Sequence, residues 1–479
     1  MIYFALAVLG LIIVLLIPTS DSLPVVGQRS LAILTFAVIL WVTQAVSYEV
    51  SAVMIIVLVS FLVGLSPTIE DPSVLYGTKD ALGMAVNGFS SSAVALVAGA
   101  LFLAQAMEMT GLHKRIALFI MSKVGTKTRN LVLGTIIVSF VLALFVPSAT
   151  ARAGTLVPIL LGIVAAFGLK KESRLSALLM ITAVQSISIW NVGIKTAAAQ
   201  NMVALGFIEG EFGLDVTWGE WFLYAAPWAI IMSVVLYFVM INLIKVEDTS
   251  NVSNQEIKHQ LDALGKISIL EWRLIVISIS LLTLWATEGI LHPFDSTTVT
   301  ILAVAFMLLP KYGIYTWSDV QKKIPWGTLV VFATGISLGT VLLDTEGATW
   351  LSTNTFELMG LGGMSIVGIV ALLALFNIVI HLGFASATSL ASALIPIVIA
   401  LVVSMDSASF NGPGLVLIMQ FVISFGFLLP ISAPQNMLAY GTNTFTSNEL
   451  LKSGIPITII GYGLIVLFSA TYWQWVNLL

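Results

Sequence analysis

Two short segments of this 479-residue chain combine hydroxyls with a helix start, and the first adds a cation, the groups that hold an anion. Residues 148–159 read SATARAGTLVPI and residues 386–397 read SATSLASALIPI. Each opens on Ser-Ala-Thr and reaches Pro-Ile ten residues later. Ser and Thr cap helix N-termini and donate hydroxyls, while the free N–H groups and positive dipole end of such a helix attract negative charge. The first motif continues into Arg152, and Lys195 lies in a second apolar stretch. A cation at the bilayer centre costs roughly 2.5–3.5 kcal/mol on insertion scales. No acidic residue stands at similar depth in these segments, so an anionic ligand is the expected partner.

The elements that must position these groups come in two copies. QNMVALG at 200–206 recurs as QNMLAYG at 435–441, and Gly99…Gly111 recurs as Gly335…Gly347. The offsets of 238, 235 and 236 residues are close to half the chain, which indicates an internal duplication. With 58% hydrophobic and 9% charged residues, the composition is that of a polytopic membrane protein. Eleven crossings are expected, near 3–18, 30–46, 50–65, 91–109, 175–206, 219–244, 272–289, 296–310, 326–345, 414–446 and 454–475. Placing the N-terminus inside then puts sixteen of the twenty Lys and Arg on the cytoplasmic side and only Arg29 and Lys79 outside. The C-terminus is expected outside, and an odd number of crossings per copy makes the two copies inverted relative to each other. The net charge of −4 carries little meaning here, and the absence of cysteine excludes disulfides and Cys-ligated metal.

Residues 130–168 would form a helix of about 58 Å against a hydrocarbon core of about 30 Å. The chain therefore folds back at Pro147-Ser148-Ala149-Thr150, entering and leaving on the cytoplasmic side. Residues 358–405 are expected to do the same from outside, turning at Ser386-Ala387-Thr388. Residues 175–206 and 414–446 carry too many Gly, Pro, Asn and Gln for plain spans and read as helices unwound near the midplane. The expected fold is all-α, with two inverted repeats, about eleven transmembrane helices and two re-entrant hairpins. Residues 1–129 form a scaffold part with an interfacial helix, and 130–244 a transport part. Residues 245–270 are a cytoplasmic linker, 271–361 the second scaffold part and 362–479 the second transport part. Glu108 and Asp344 read as structural residues near span ends, His381 as a satisfied helix histidine, and Trp326, Trp350, Trp473 and Trp475 as interfacial belt residues.

At these motifs the chain resembles, almost end to end, the divalent anion/sodium symporter family of INDY-type dicarboxylate and citrate carriers. The resemblance implies a substrate site at Ser148, Ala149, Thr150, Ser386, Ala387 and Thr388, with unwound segments around Lys195–Asn201 and Pro434, Gln435 and Asn436. It also implies a homodimer whose transport part moves elevator-fashion against a scaffold in the cytoplasmic membrane. Family hairpins carry Ser-Asn-Thr, whereas both copies here read Ser-Ala-Thr, and Ala151-Arg152 is similar to the exchanger branch. Arg152 and Lys195 are then expected to stand in for sodium ions and to neutralise a dianion together. The empty carrier would retain two charges and return only with a counter-substrate, so loss of either cation is expected to stop exchange. The expected function is sodium-independent elevator antiport of C4/C5 dicarboxylates (2-oxoglutarate, malate, succinate, fumarate), with no cofactor, no metal and no nucleic-acid partner. A sodium-coupled dicarboxylate or citrate symporter is the alternative, and an intramembrane hydrolase using Ser148 or Ser386 with Lys195 a third reading.

Overall fold

The computed structural model describes residues 2–246, 255–357, 363–405 and 410–479, and every regular element among them is helical. Helices α1 (Ile2–Leu15), α2 (Val25–Thr43), α3 (Tyr48–Leu58), α4 (Thr78–Val86), α5 (Ser92–Thr110) and α6 (Leu112–Val124) make up the first part of the chain. The first hairpin is α7 (Thr128–Phe145) and α8 (Ala149–Ala166), followed by α9 (Arg174–Gly193), α10 (Ala199–Phe212) and α11 (Trp218–Leu243). Then come α12 (Gln255–Ala263), α13 (Ile269–Ala286), α14 (Ser296–Leu308), α15 (Trp317–Val320), α16 (Trp326–Asp344) and α17 (Gly347–Glu357). The second hairpin is α18 (Ile366–His381) and α19 (Ala387–Ser404), and the chain closes with α20 (Gly412–Ile423), α21 (Pro434–Tyr440), α22 (Ser447–Ala470) and α23 (Tyr472–Trp475). Ten of the described helices are long and apolar enough to cross a membrane, three of them hairpin limbs.

The duplication runs from α5 to α11 in one copy and from α16 to α22 in the other. Ser148 and Ser386 cap α8 and α19 with nearly the same backbone, φ −145° and −143°. A further correspondence escaped the motif comparison. Thr217, Glu220 and Pro227 of the α11 region match Thr446, Glu449 and Pro456 of the α22 region at a constant offset of 229 residues. Each Thr–Glu pair forms a reciprocal capping box, which satisfies N–H groups that a helix start leaves free. Each Pro is the tenth residue of its helix, where it removes one backbone donor. The copies exchange partners: α10 packs on α19, and α21 packs on α8.

Position in the bundle follows from the side chains. Every residue of α9 from Leu175 to Gly193 is buried, as is nearly all of α20, so these two helices form the centre. Helices α11, α13 and α22 instead carry exposed Ile230, Phe238, Ile279 and Ile459, as expected of helices facing lipid. Three expectations change. Residues 66–90, left without an element, contain α4 and a following 3₁₀ turn at Asn87–Ser90, and the linker contains α12. Trp473 is fully buried and donates its indole N–H to the Tyr224 carbonyl at 2.8 Å, so it is a core residue, whereas Trp326 and Trp475 are exposed. Within the expected linker, residues 247–254 lie outside the described residues, as do the boundary at 361–362 and the first residues, 358–362, of the second hairpin stretch.

Close packing holds the second break open. A Cβ on Gly454 of α22 would overlap the Phe427 carbonyl oxygen and the Leu428 backbone, so only glycine lets α22 lie against the unwound chain. Gly454→Ala is expected to lower stability by about 1–3 kcal/mol through overpacking, read as a lower melting temperature of the purified protein in detergent.

Candidate functional site

Both hairpin tips and both helix breaks converge on one cavity of about 520 Å³. Its wall includes Ser148, Ala149 and Thr150 from the first tip and Ser386, Ala387 and Thr388 from the second. The starts of the second half-helices supply Ala199 and Gln200, and Pro434 and Gln435. The N-termini of three long helices, α8, α19 and α10, therefore open onto one space, each equivalent to roughly half a positive charge. No Asp or Glu is among the lining residues, and Lys323 and His381 are. The space can stabilise a small anion with two separated negative groups.

The breaks share their second part and differ in length. Extended Ile194 follows α9 directly, whereas five residues separate the end of α20 at Ile423 from extended Leu429; a single 3₁₀ turn then follows at Lys195–Ala197 and Pro430–Ser432, and extended Ala198 and Ala433 lead into α10 and α21. Each break frees carbonyl groups at the end of the first half-helix, and burial makes free carbonyls costly. Asn201 Nδ2 donates to the carbonyls of Asn191, Ile194 and Lys195 at 2.8, 3.2 and 3.2 Å. Asn436 Nδ2 donates to those of Gly426 and Leu429 at 2.7 and 3.2 Å. Sequence reasoning expected both asparagines to bind substrate, but neither lines the cavity; they close the backbone behind it.

Glutamines tie the two copies together. Gln185 donates to the Phe427 carbonyl at 2.9 Å, and Gln420, its counterpart, to Asn201 Oδ1 at 3.2 Å. Gln200 reaches Ser424 Oγ at 3.3 Å, and Gln435 reaches Ser188 Oγ at 3.0 Å. Four side chains thus bond across the repeat boundary. The position of one break depends on the other.

The two cations have separate fates. Arg152 is completely buried beneath the cavity and is not among the residues that line it; Nη2 donates to Asn191 Oδ1 at 2.5 Å and to the Ala197 carbonyl at 2.9 Å. Its Nε and Nη1 have no partner among the described residues. Lys195 does not reach this cavity. Its Nζ donates to the Val216 carbonyl at 2.6 Å and lies 3.7 Å from Asp215 Oδ1, in a separate pocket that Ser92 and Glu209 also line. The expectation of two cations on one ligand is thereby corrected. The side chain of Lys195 leaves the 3₁₀ turn away from the tips, and the loop after α10 returns an acid to meet it.

His381 proves to be the counterpart of Arg152. It is buried at the end of α18, and its Nε2 donates to the Ser432 carbonyl at 3.1 Å. Ser432 and Ala197 occupy matching positions as the last residues of the two 3₁₀ turns. Each break therefore has one carbonyl held by a basic side chain from a hairpin, with Nδ1 of His381 left unpartnered at the cavity wall. Asn191 and Gln200 lie in segments already marked as polar. Tyr48, Gln105 and Thr328 come from distant helices and Lys323 from the turn before α16, none of them with a local signal.

A family model described as the sodium:sulfate symporter transmembrane region matches residues 1–479. A Cupriavidus necator protein described as a membrane protein is 50% identical over 98% of this chain and 92% of its own length. A citrate/succinate antiporter of Escherichia coli is 27% identical over 96% of this chain and 95% of its own. The sodium-dependent dicarboxylate transporter SdcS of Staphylococcus saprophyticus is 24% identical over 95% and 88%. Among solved structures, the Alcanivorax borkumensis YdaH transporter matches with a TM-score of 0.60 at 14% identity, covering 90% of this chain and 98% of that one, a likeness of fold.

Asn436→Ala leaves the Gly426 and Leu429 carbonyls without a donor, and a loss of about 1–3 kcal/mol is expected. Asn436→Asp should be worse, because it replaces the donor by a charge facing the same oxygens. Chemical denaturation monitored by tryptophan fluorescence checks both.

Proposed function

Because the chain belongs to the sodium:sulfate symporter family of membrane transporters, which its motifs already indicated, we propose that it exchanges C4/C5 dicarboxylates across the cytoplasmic membrane. The observation that carries this reading is the shared cavity, where three helix N-termini and four tip hydroxyls face a space lined by no carboxylate. One carboxylate group meets Ser148 and Thr150 with the first N–H groups of α8, and the other meets Ser386 and Thr388 with those of α19. Ala149 and Ala387 add no donor of their own. The Gln200 and Gln435 amides border the path between the tips. The names of related antiporters support exchange, and 2-oxoglutarate, malate, succinate and fumarate fit the required pair of charges.

Arg152 takes the part first expected of two cations. An anion in the cavity offers its guanidinium the negative charge that the protein withholds, while Asn191 and the Ala197 carbonyl keep it from leaving with the cargo. His381 supplies the matching fixed donor at the other break. A carrier without cargo retains an uncompensated buried charge, which is costly to move through low dielectric. Return loaded with a counter-anion avoids that cost. Sodium coupling is the alternative, favoured by the likeness to SdcS; against it, Arg152 and His381 already occupy a carbonyl at each break.

Packing supports an alternating, elevator-like movement. Gly335 and Gly339 of α16 allow Ser392 and Pro396 of α19 to approach closely, so the second hairpin lies against the scaffold. Gly99, the counterpart of Gly335, faces Thr300 of α14, and a Cβ on Gly154, which matches Ser392, would meet only Leu438, at 4.0 Å. In the opposite state the roles of the copies should exchange. We further propose the inverted orientation of the repeats, the scaffold and transport parts bounded as above, the cytoplasmic N-terminus and external C-terminus, and the homodimer.

The test is uptake of labelled succinate and 2-oxoglutarate into reconstituted vesicles. Uptake should require internal dicarboxylate and be indifferent to sodium; sodium-driven uptake into empty vesicles would select the symporter. Arg152→Ala should lower exchange at least about tenfold, equivalent to roughly 1.4 kcal/mol, while Lys195→Ala should retain most of it, contrary to the expectation from sequence. Since the chain has no native cysteine, the pair Gly335→Cys and Ser392→Cys should crosslink and block transport. Crosslinking of Gly99→Cys with Gly154→Cys should rise when the opposite state is populated.

A further inference from the structure

A second cavity lies apart from this site, between α6, α7, α13 and the end of α12 with the segment after it. It measures about 730 Å³ and opens sideways, within the size range of small-molecule sites. Ile116 and Phe119 of α6, Val141 and Phe145 of α7, and Ile275 and Ile279 of α13 give it an apolar wall, and exposed Phe119 and Ile279 mark its lipid side. One polar atom interrupts the wall. Ser278 is 4% exposed, yet its Oγ has no hydrogen-bond partner among the described residues. Serine in a helix commonly bonds the carbonyl four residues back, so this free hydroxyl is a donor or acceptor held in reserve.

Lys266 and Asp262 both line the mouth, and the surrounding residues 112–130 and 255–271 carry seven Lys and Arg against three acids. Arg115 is committed, with Nε 2.5 Å from Glu271 Oε1 and further bonds to the Leu264 and Gly265 carbonyls. Those bonds fix the turn before α13 and so hold Lys266, which is exposed, lines the mouth and forms none of the ion pairs among the described residues. An apolar slot, an ester-sized polar contact and a free cation at the rim follow the order of groups along a phospholipid. A zwitterionic headgroup would bring its own cation to a mouth that already has an excess of them.

We infer that this cavity binds one acyl chain of an anionic phospholipid from the adjoining leaflet, with its phosphate at Lys266 and a glycerol ester oxygen at Ser278. The bound chain rests on Phe145, two residues before Pro147 of the first tip, so occupancy bears on the hairpin that forms the central cavity. The inference depends on membrane insertion and not on the identity of the cargo.

The experiment adds phosphatidylglycerol or phosphatidylcholine of identical chains to the full-length protein in detergent. Retained lipid is counted by native mass spectrometry, and melting temperature is followed in parallel. Phosphatidylglycerol should be retained preferentially and raise the melting temperature, as any ligand of the folded state does. Lys266→Gln should reduce its preference over phosphatidylcholine about fivefold, the effect of one surface cation on an anionic lipid. Ser278→Phe, which fills the slot, should abolish retention of both lipids. Equal retention of the two lipids by the unmodified protein, or an unchanged preference in both variants, overturns the proposal. Exchange activity is a separate readout, so failure of the dicarboxylate reading leaves this result interpretable.

Discussion

The structure depends on how two interrupted helices settle their backbone hydrogen bonds away from water. Lipid offers no partner for a free carbonyl, so irregular chain at membrane depth survives only where protein groups or a cavity compensate it. Here the compensation is the same in both copies. The third residue of each second half-helix, an asparagine, reaches back over the break to backbone carbonyls that precede it. With that bond in place, the second half-helix can begin at the cavity, and its N-terminus becomes a feature of the site. Glutamines from one copy then bond to the other, so the two breaks are positioned as a unit.

Charge follows the same logic. A buried guanidinium is tolerable when oxygen atoms surround it, and the end of the first break provides an amide oxygen and a carbonyl. At the second break Leu390 stands where Arg152 would be, and the corresponding carbonyl is met from the other limb of the hairpin by His381. The duplication has therefore preserved an interaction while changing the residue and the limb that make it. Lys195 shows the opposite case. Although it lies in the break itself, its neighbour Asp215 turns it into a local ion pair outside the central cavity.

Similar copies also make dissimilar contacts. Glycines on α16 receive the second hairpin, whereas the matching glycine on α5 is occupied by α14. In the alternating movement proposed above, the halves would exchange these two packings. The amphipathic α6 and the pocket beneath it lie where such an exchange would alter the surroundings of α7.

Much was legible in the chain alone. Ser-Ala-Thr with Pro-Ile ten residues on, seen twice, located both hairpin tips and the helices beginning there. Gly, Pro, Asn and Gln within apolar runs located both breaks, because lipid penalises such residues unless structure answers them. The matched Thr, Glu and Pro of α11 and α22 were equally present but lacked an identical word to expose them. Which side chains share a cavity was not legible. Arg152 and Lys195 carry the same charge in similar surroundings, and only folding brings Asn191 to one and Asp215 to the other. Tyr48, Gln105, Lys323 and Thr328 likewise join the wall from remote parts of the chain. Local chemistry and the intolerance of lipid for free polar groups write the elements into sequence. Pairing across the bundle depends on the directions in which side chains leave those elements, and that is decided only when the helices pack.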